Sequence, residues 1–138
     1  MSARADDALA SSWHELMARY NRLACRLDRE LQAEHGLTSS EFEVLQQLRG
    51  AEEALSMSEL GEHAHVTQSA LSRLVSKLEL AGLVSRAMCA NDRRSVRVCL
   101  TDEGATRYDA ARPTQRAILR EESSECAEAA EGLLLPRP

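Results

Sequence analysis

Residues 58–104 read SELGEHAHVTQSALSRLVSKLELAGLVSRAMCANDRRSVRVCLTDEG, and the start signals, periods and charges in this stretch decide the fold. Just ahead of it, Ser56 stands three residues before Glu59, the spacing of a capping box. That predicts a short helix to about Ala64, anchored by Leu60. Thr67 caps a second helix running to about Ala81, with Leu71, Leu74, Val75 and Leu78 as its inner face and Gly82 as its end. The period then changes. Residues 83–88 and 96–100 read as strands, the second alternating Val96, Val98 and Leu100 with Arg97 and Cys99. Residues 89–95 between them form a polar hairpin loop containing Asn91, Asp92, Arg93 and Arg94.

Upstream, Thr38 and Glu41 form another capping box, opening a helix whose buried face is Phe42, Leu45 and Leu48 and which Gly50 ends. Before it, residues 8–35 read as one long helix. Leu9, Trp13, Leu16, Tyr20, Leu23, Leu27 and Leu31 recur at steps of four and three, Met17 and Ala24 widen the stripe, and Gly36 stops it. Such a helix is about 40 Å long. A small domain cannot cover that length, so the surplus apolar face calls for a second subunit. Downstream, Thr101 caps a further helix with Asp102 and Glu103 in its first turn. Pro113 is expected to kink or interrupt it, and Ile118 and Leu119 continue the apolar face. The acidic, Ala-rich tail 121–138 reads as a short final helix or a frayed end. The chain thus divides into an N-terminal dimerisation helix (1–36), a central lobe (37–100) and C-terminal dimerisation helices (101–138).

Composition agrees with a mainly α fold carrying a small β-wing. Of 138 residues 43% are hydrophobic but only 3% aromatic, with three prolines, a balance that favours helices over a β-sandwich. No run of about 18 apolar residues offers a membrane span, and the N-terminus has no apolar signal core, so a cytoplasmic protein is expected. The formal charge of −5 argues against nucleic acid until its distribution is read. Residues 67–100 hold six Lys and Arg against two Asp and Glu, whereas both flanks are net acidic. The cysteines, Cys25, Cys89, Cys99 and Cys126, form no CxxC pair and no zinc spacing, so reduced thiols are expected, with thiol-based redox sensing as the alternative. His63 and His65 do not share a helical face, and no metal site is expected.

Short helix, turn, capped helix, strand, basic hairpin, strand is the order of a winged helix-turn-helix. An α-helix fits the major groove of B-DNA. The helix after Thr67 sets Gln68, Ser69, Ser72, Arg73, Ser76 and Lys77 opposite its leucines, with no carboxylate before Glu79. Small serines let the backbone come close, and Gln and Arg match adenine and guanine edges. Arg93 and Arg94 stand at a loop tip suited to a minor groove or a phosphate backbone, and Asp92 fits there only if it orients an arginine. No phosphate loop, nucleophile motif or ligand cluster supports an enzyme or a cofactor. A protein-interaction winged helix is the rival reading, and it has no use for Arg73, Lys77, Arg93 and Arg94 at these positions.

The VTQSALSRLVSKLE helix, the AGLVSR strand entry, the NDRR wing and the LTDEG helix start occur in the order and spacing of the multiple-antibiotic-resistance regulator (MarR) family, which the chain resembles over about residues 9–120. The long first helix and LTSSEFEVLQQL match it too. The resemblance implies a homodimeric, ligand-responsive repressor on a near-palindromic double-stranded operator. It implies four helices, the wing and two further helices. Gln68, Ser69, Ser72, Arg73 and Ser76 would face the major groove, and Asp92 and Arg94 would be the wing pair. It also implies an aromatic or anionic small-molecule effector, for which Trp13, His14, Met17 and Arg86 are candidates, although Trp13 and Met17 equally fit a packed apolar stripe. Gly61 departs from the family, which usually has alanine there.

Overall fold

The computed structural model of the chain describes residues 2–89 and 92–134, with side chains for residues 2–87 and 96–123. The first helix, α1, spans Ala3–His35 and starts five residues earlier than its apolar period suggests. Ser2 is the reason: its hydroxyl accepts from the Ala5 amide at 3.3 Å. At the far end Gly36 takes the left-handed conformation (φ +69°) and its amide closes onto the Gln32 carbonyl at 3.1 Å.

Helix α2 covers Ser39–Gly50 and α3 covers Met57–Ala64, and both predicted capping boxes are present in full. Between them lies a strand the sequence did not announce, β1 (Leu55–Ser56), paired to the later hairpin through Leu55↔Val98 and Ser56↔Arg97. Helix α4 spans Gln68–Leu80, capped by Thr67, whose hydroxyl accepts from the Ala70 amide at 3.2 Å. The hairpin strands are β2 (Val84–Cys89) and β3 (Asp92–Leu100), antiparallel from Val84↔Leu100 to Cys89↔Asp92, with an irregularity at Met88/Cys89. The sheet order is β1-β3-β2. Strand β3 therefore begins four residues before the alternating stretch, and Asp92 to Ser95, expected in a loop, belong to it.

Helix α5 runs unbroken over Asp102–Leu134 with Pro113 inside, so the expected interruption and the separate final helix are not found. Proline costs this helix one backbone bond, to the exposed turn at Asp109. Packing outweighs that loss. Tyr108, Ala111, Gln115 and Ile118 are buried along one face. Arg26 of α1 reaches Glu121 at 2.5 Å and Glu122 at 2.8 Å, and these carboxylates with Glu30 raise its pKa further. Thr114, next to the proline, bonds His35 at 2.9 Å and Glu34 at 3.0 Å.

The core lies where α2, α3, α4 and the sheet meet. Phe42, Leu45, Leu60, Leu71, Val75, Leu78, Leu83 and Val98 are almost completely buried. Phe42 stacks on Tyr108 with ring centroids 5.1 Å apart, joining this lobe to α5.

Candidate nucleic-acid interface

Burial of Leu71, Val75 and Leu78 turns the opposite side of α4 to solvent. Gln68, Ser69, Ser72, Arg73, Ser76 and Lys77 are all exposed there, as their spacing predicts. Their side chains are not equally available. Among the described residues Arg73 makes no hydrogen bond or ion pair. Ser69 touches only the Thr67 hydroxyl, at 3.4 Å. The Gln68 carboxamide instead donates to the Met57 carbonyl at 3.2 Å. Lys77 Nζ stands 3.5 Å from Oε1 of Glu41, a carboxylate buried at the start of α2.

Arg86 of β2 leans onto the same helix. Its Nη2 donates to Ser76 Oγ at 2.6 Å and lies 3.5 Å from the Ser72 carbonyl. Its backbone amide donates to Glu79 Oε2 at 3.2 Å. The lone acidic residue of α4 is thus spent on holding the hairpin against the helix. Arg97 of β3 serves the other side, donating to the Ala54 carbonyl at 3.1 Å and standing 3.5 Å from Glu59. The Glu59 carboxyl is held below its ordinary value first by its hydrogen bonds with Ser56, and then by Arg97. Asp92, Arg93 and Arg94 have backbone in β3, and their side chains lie outside the described residues.

Sequence reasoning missed Leu80. It is 91% exposed, one turn beyond Ser76 on the outer face, off the Leu71–Val75–Leu78 stripe. The signal was that misplacement. The candidate effector residues are not gathered by one cleft. Trp13 (54% exposed), Met17 and His14 are exposed on α1, outside the chain's own core, while Arg86 is bound to α4. A cleft of about 400 Å³ does lie between α1, α2 and α5, lined by Tyr20, Leu27, Phe42, His65 and Gln115 among others. None of the four lines it. Among the described residues no group of His, Cys, Asp and Glu could hold a metal, and no helix is long and apolar enough to cross a membrane.

A capped helix with a polar outer face, set behind a short helix and braced by a β-hairpin, defines a winged helix-turn-helix DNA-binding protein. Residues 35–95 match the MarR family. The chain is 30% identical over 113 residues to an HTH-type transcriptional regulator of Bacillus cereus, covering 82% of this chain and 74% of that one. Its fold is similar to Sco3205, a MarR family transcriptional regulator from Streptomyces coelicolor solved in complex with DNA, with TM-score 0.77 and 29% identity over 90% of this chain and 86% of that one. It is similar also to the transcriptional regulator BldR from Sulfolobus solfataricus, with TM-score 0.79 and 29% identity over 96% and 95% of the two chains. The chain belongs to the MarR family of transcriptional regulators.

Proposed function

We propose that the chain is a homodimeric, sequence-specific repressor that binds a near-palindromic operator through α4 and the wing and releases it on binding a small molecule. The observation that carries this reading is the outer face of α4, where Arg73 stands exposed between Ser69, Ser72 and Ser76 and has no partner among the described residues. Its guanidinium suits the O6 and N7 of guanine, and Leu80 adds apolar surface suited to a thymine methyl. Arg93 and Arg94 add wing charge, with Asp92 orienting Arg94. Sco3205 was solved on DNA with the same fold, which supports docking through this lobe.

Dimerisation is supported by Leu9, Trp13, Met17 and Tyr20, which recur every three or four residues along α1 and are all exposed in the single chain. They form one apolar stripe that a second copy would bury. The effector, aromatic or anionic, would enter the cleft beside Phe42 and Gln115, because that cleft touches α1, α2, α5 and the turn before α4 at once. A ligand there would change how the dimer helices hold the reading lobes. The site of action is cytoplasmic DNA.

Selection of bound duplexes from random sequence, with sedimentation of the free protein, tests the reading. A stable dimer and two-fold-related half-sites about 10–10.5 bp apart are expected. A monomer at micromolar concentration occupying a single half-site contradicts the dimer. Failure to enrich any sequence returns the fold to the protein-interaction reading.

A further inference from the structure

The contact between α3 and α4 contains a seat built from two residues. Gly61 is buried in the middle of α3. A methyl group there would overlap the carboxamide nitrogen of Gln68 and lie 3.5 Å from Cδ2 of Leu71. The volume a side chain would take is therefore occupied by the end of Gln68. That carboxamide donates to the Met57 carbonyl at 3.2 Å. Met57 precedes Gly61 by four residues, so its carbonyl is the one α3 offers to the Gly61 amide, and Gln68 is a second donor to it. Glycine inside an eight-residue helix costs that helix stability relative to alanine. The seat gives that cost a use.

We infer that Gly61 withholds Gln68 from DNA: Gln68 is a positioning residue that pins the first turn of α4 to α3, and Gly61 sets specificity by keeping a base-reading carboxamide folded away. The inference rests on α4 being the helix that reads DNA. Gln68 is the first residue of that helix, and its side chain type pairs bidentately with adenine. One of its N–H groups is bonded to Met57 and its nitrogen sits over Gly61, so the amide end of the carboxamide is held against α3 and away from a base edge. Alanine at position 61 collides with the far end of a flexible side chain and not with backbone, so the fold can survive it by releasing Gln68 outward.

The test compares selected binding sites and titrated affinities for the parent, Gln68→Ala, Gln68→Glu, Gly61→Ala, the Gly61→Ala/Gln68→Ala double variant and Arg73→Ala, each shown folded by its circular dichroism melt. Gln68→Ala is expected to weaken all sequences alike, by about fivefold or less, the worth of one hydrogen bond, with base preference unchanged. Gln68→Glu, whose carboxylate cannot donate to the Met57 carbonyl, is expected to show a loss that is likewise even across bases, without touching Gly61. Gly61→Ala is expected to acquire a preference for adenine at one new position, and the double variant to lose it. A Gln68→Ala or Gln68→Glu protein that loses preference at one operator position overturns the inference, because Gln68 then reads that base directly. A Gly61→Ala protein that selects the parent's site also overturns it. Arg73→Ala separates the two levels: if it shifts base preference while Gly61→Ala does not, α4 reads DNA and only the seat is wrong. If neither shifts preference, the reading by α4 fails with it.

Discussion

Gly104 sets two ordinary rules against each other. Alanine is the better helix former, worth up to about 1 kcal/mol over glycine, so Gly104→Ala in the first turn of α5 should stabilise by propensity alone. The structure assigns the opposite sign. A methyl at Gly104 would overlap the Leu83 carbonyl oxygen and stand 2.8 Å from Cδ1 of Leu100. The first obstacle is backbone and cannot rotate away. That carbonyl also accepts from the Thr101 amide at 3.1 Å, the bond that joins the entry of β2 to the cap of α5. Pushing the helix back costs about 1–3 kcal/mol in overpacking and about 1 kcal/mol for the weakened bond. Net of propensity, Gly104→Ala should destabilise by about 1–3 kcal/mol. Gly50 is the control: nothing lies within 4 Å of an added methyl there, so Gly50→Ala at the end of α2 should be neutral or stabilise by up to about 1 kcal/mol. Urea unfolding at fixed protein concentration reads both, as shifts in midpoint at unchanged slope. A Gly104→Ala protein as stable as the parent would refute the close approach.

His65, at the turn between α3 and α4, is the one described non-glycine residue with positive φ (+56°), so His65→Gly should raise the urea midpoint by up to about 1 kcal/mol equivalent, and a lower midpoint would show that the imidazole holds the turn. Glu59 has its folded pKa held below the ordinary 4.5, so its contribution to stability is complete above about pH 4.5 and fades as pH falls through the folded value. The gap between parent and Glu59→Gln should therefore close on acidification below pH 4.5, and a gap unchanged down to pH 3 speaks against the ionised capping box. Arg94→Ala should lower the slope of log affinity against log salt by about 0.9 if Arg94 lies on phosphate. Asp92→Ala should weaken binding as well; tighter binding by a folded Asp92→Ala protein would leave Asp92 no orienting role.

The start signals of α2 and α3 were legible because a capping box is a local device: its two side chains and two amides lie within four residues, and Thr38–Glu41 and Ser56–Glu59 carry all of it; α4 announced itself by the Thr67 cap alone. Strand β1 was not, because two residues have no period, and Leu55–Ser56 is a strand only by pairing with Val98 and Arg97 more than forty residues away. Pro113 does not interrupt its helix, for the converse reason. The local rule is sound, but the long face that α1 lends to α5 decides the helix, and Thr114 is tied to His35 and Glu34 just past the proline. At the candidate interface the helical wheel gave the direction of each Cβ and no more. It set Gln68, Ser76 and Lys77 on the outer side beside Arg73, but not their bonds to Met57, Arg86 and Glu41, since those partners come from α3, β2 and α2. Arg86, a candidate effector residue by family resemblance, is held by Glu79 and Ser76 for the same reason: its partners come from α4.

Arg73 carries the central claim, that the exposed outer face of α4 reads bases. The decisive measurement is the affinity of Arg73→Ala for the selected operator and for a set of single-base variants of it, at fixed salt. A base-edge contact predicts that discrimination of about 1–3 kcal/mol disappears at one position in each half-site, with the other positions unaffected. An equal loss across every sequence, together with a shallower salt dependence, would make Arg73 a phosphate contact and contradict the claim.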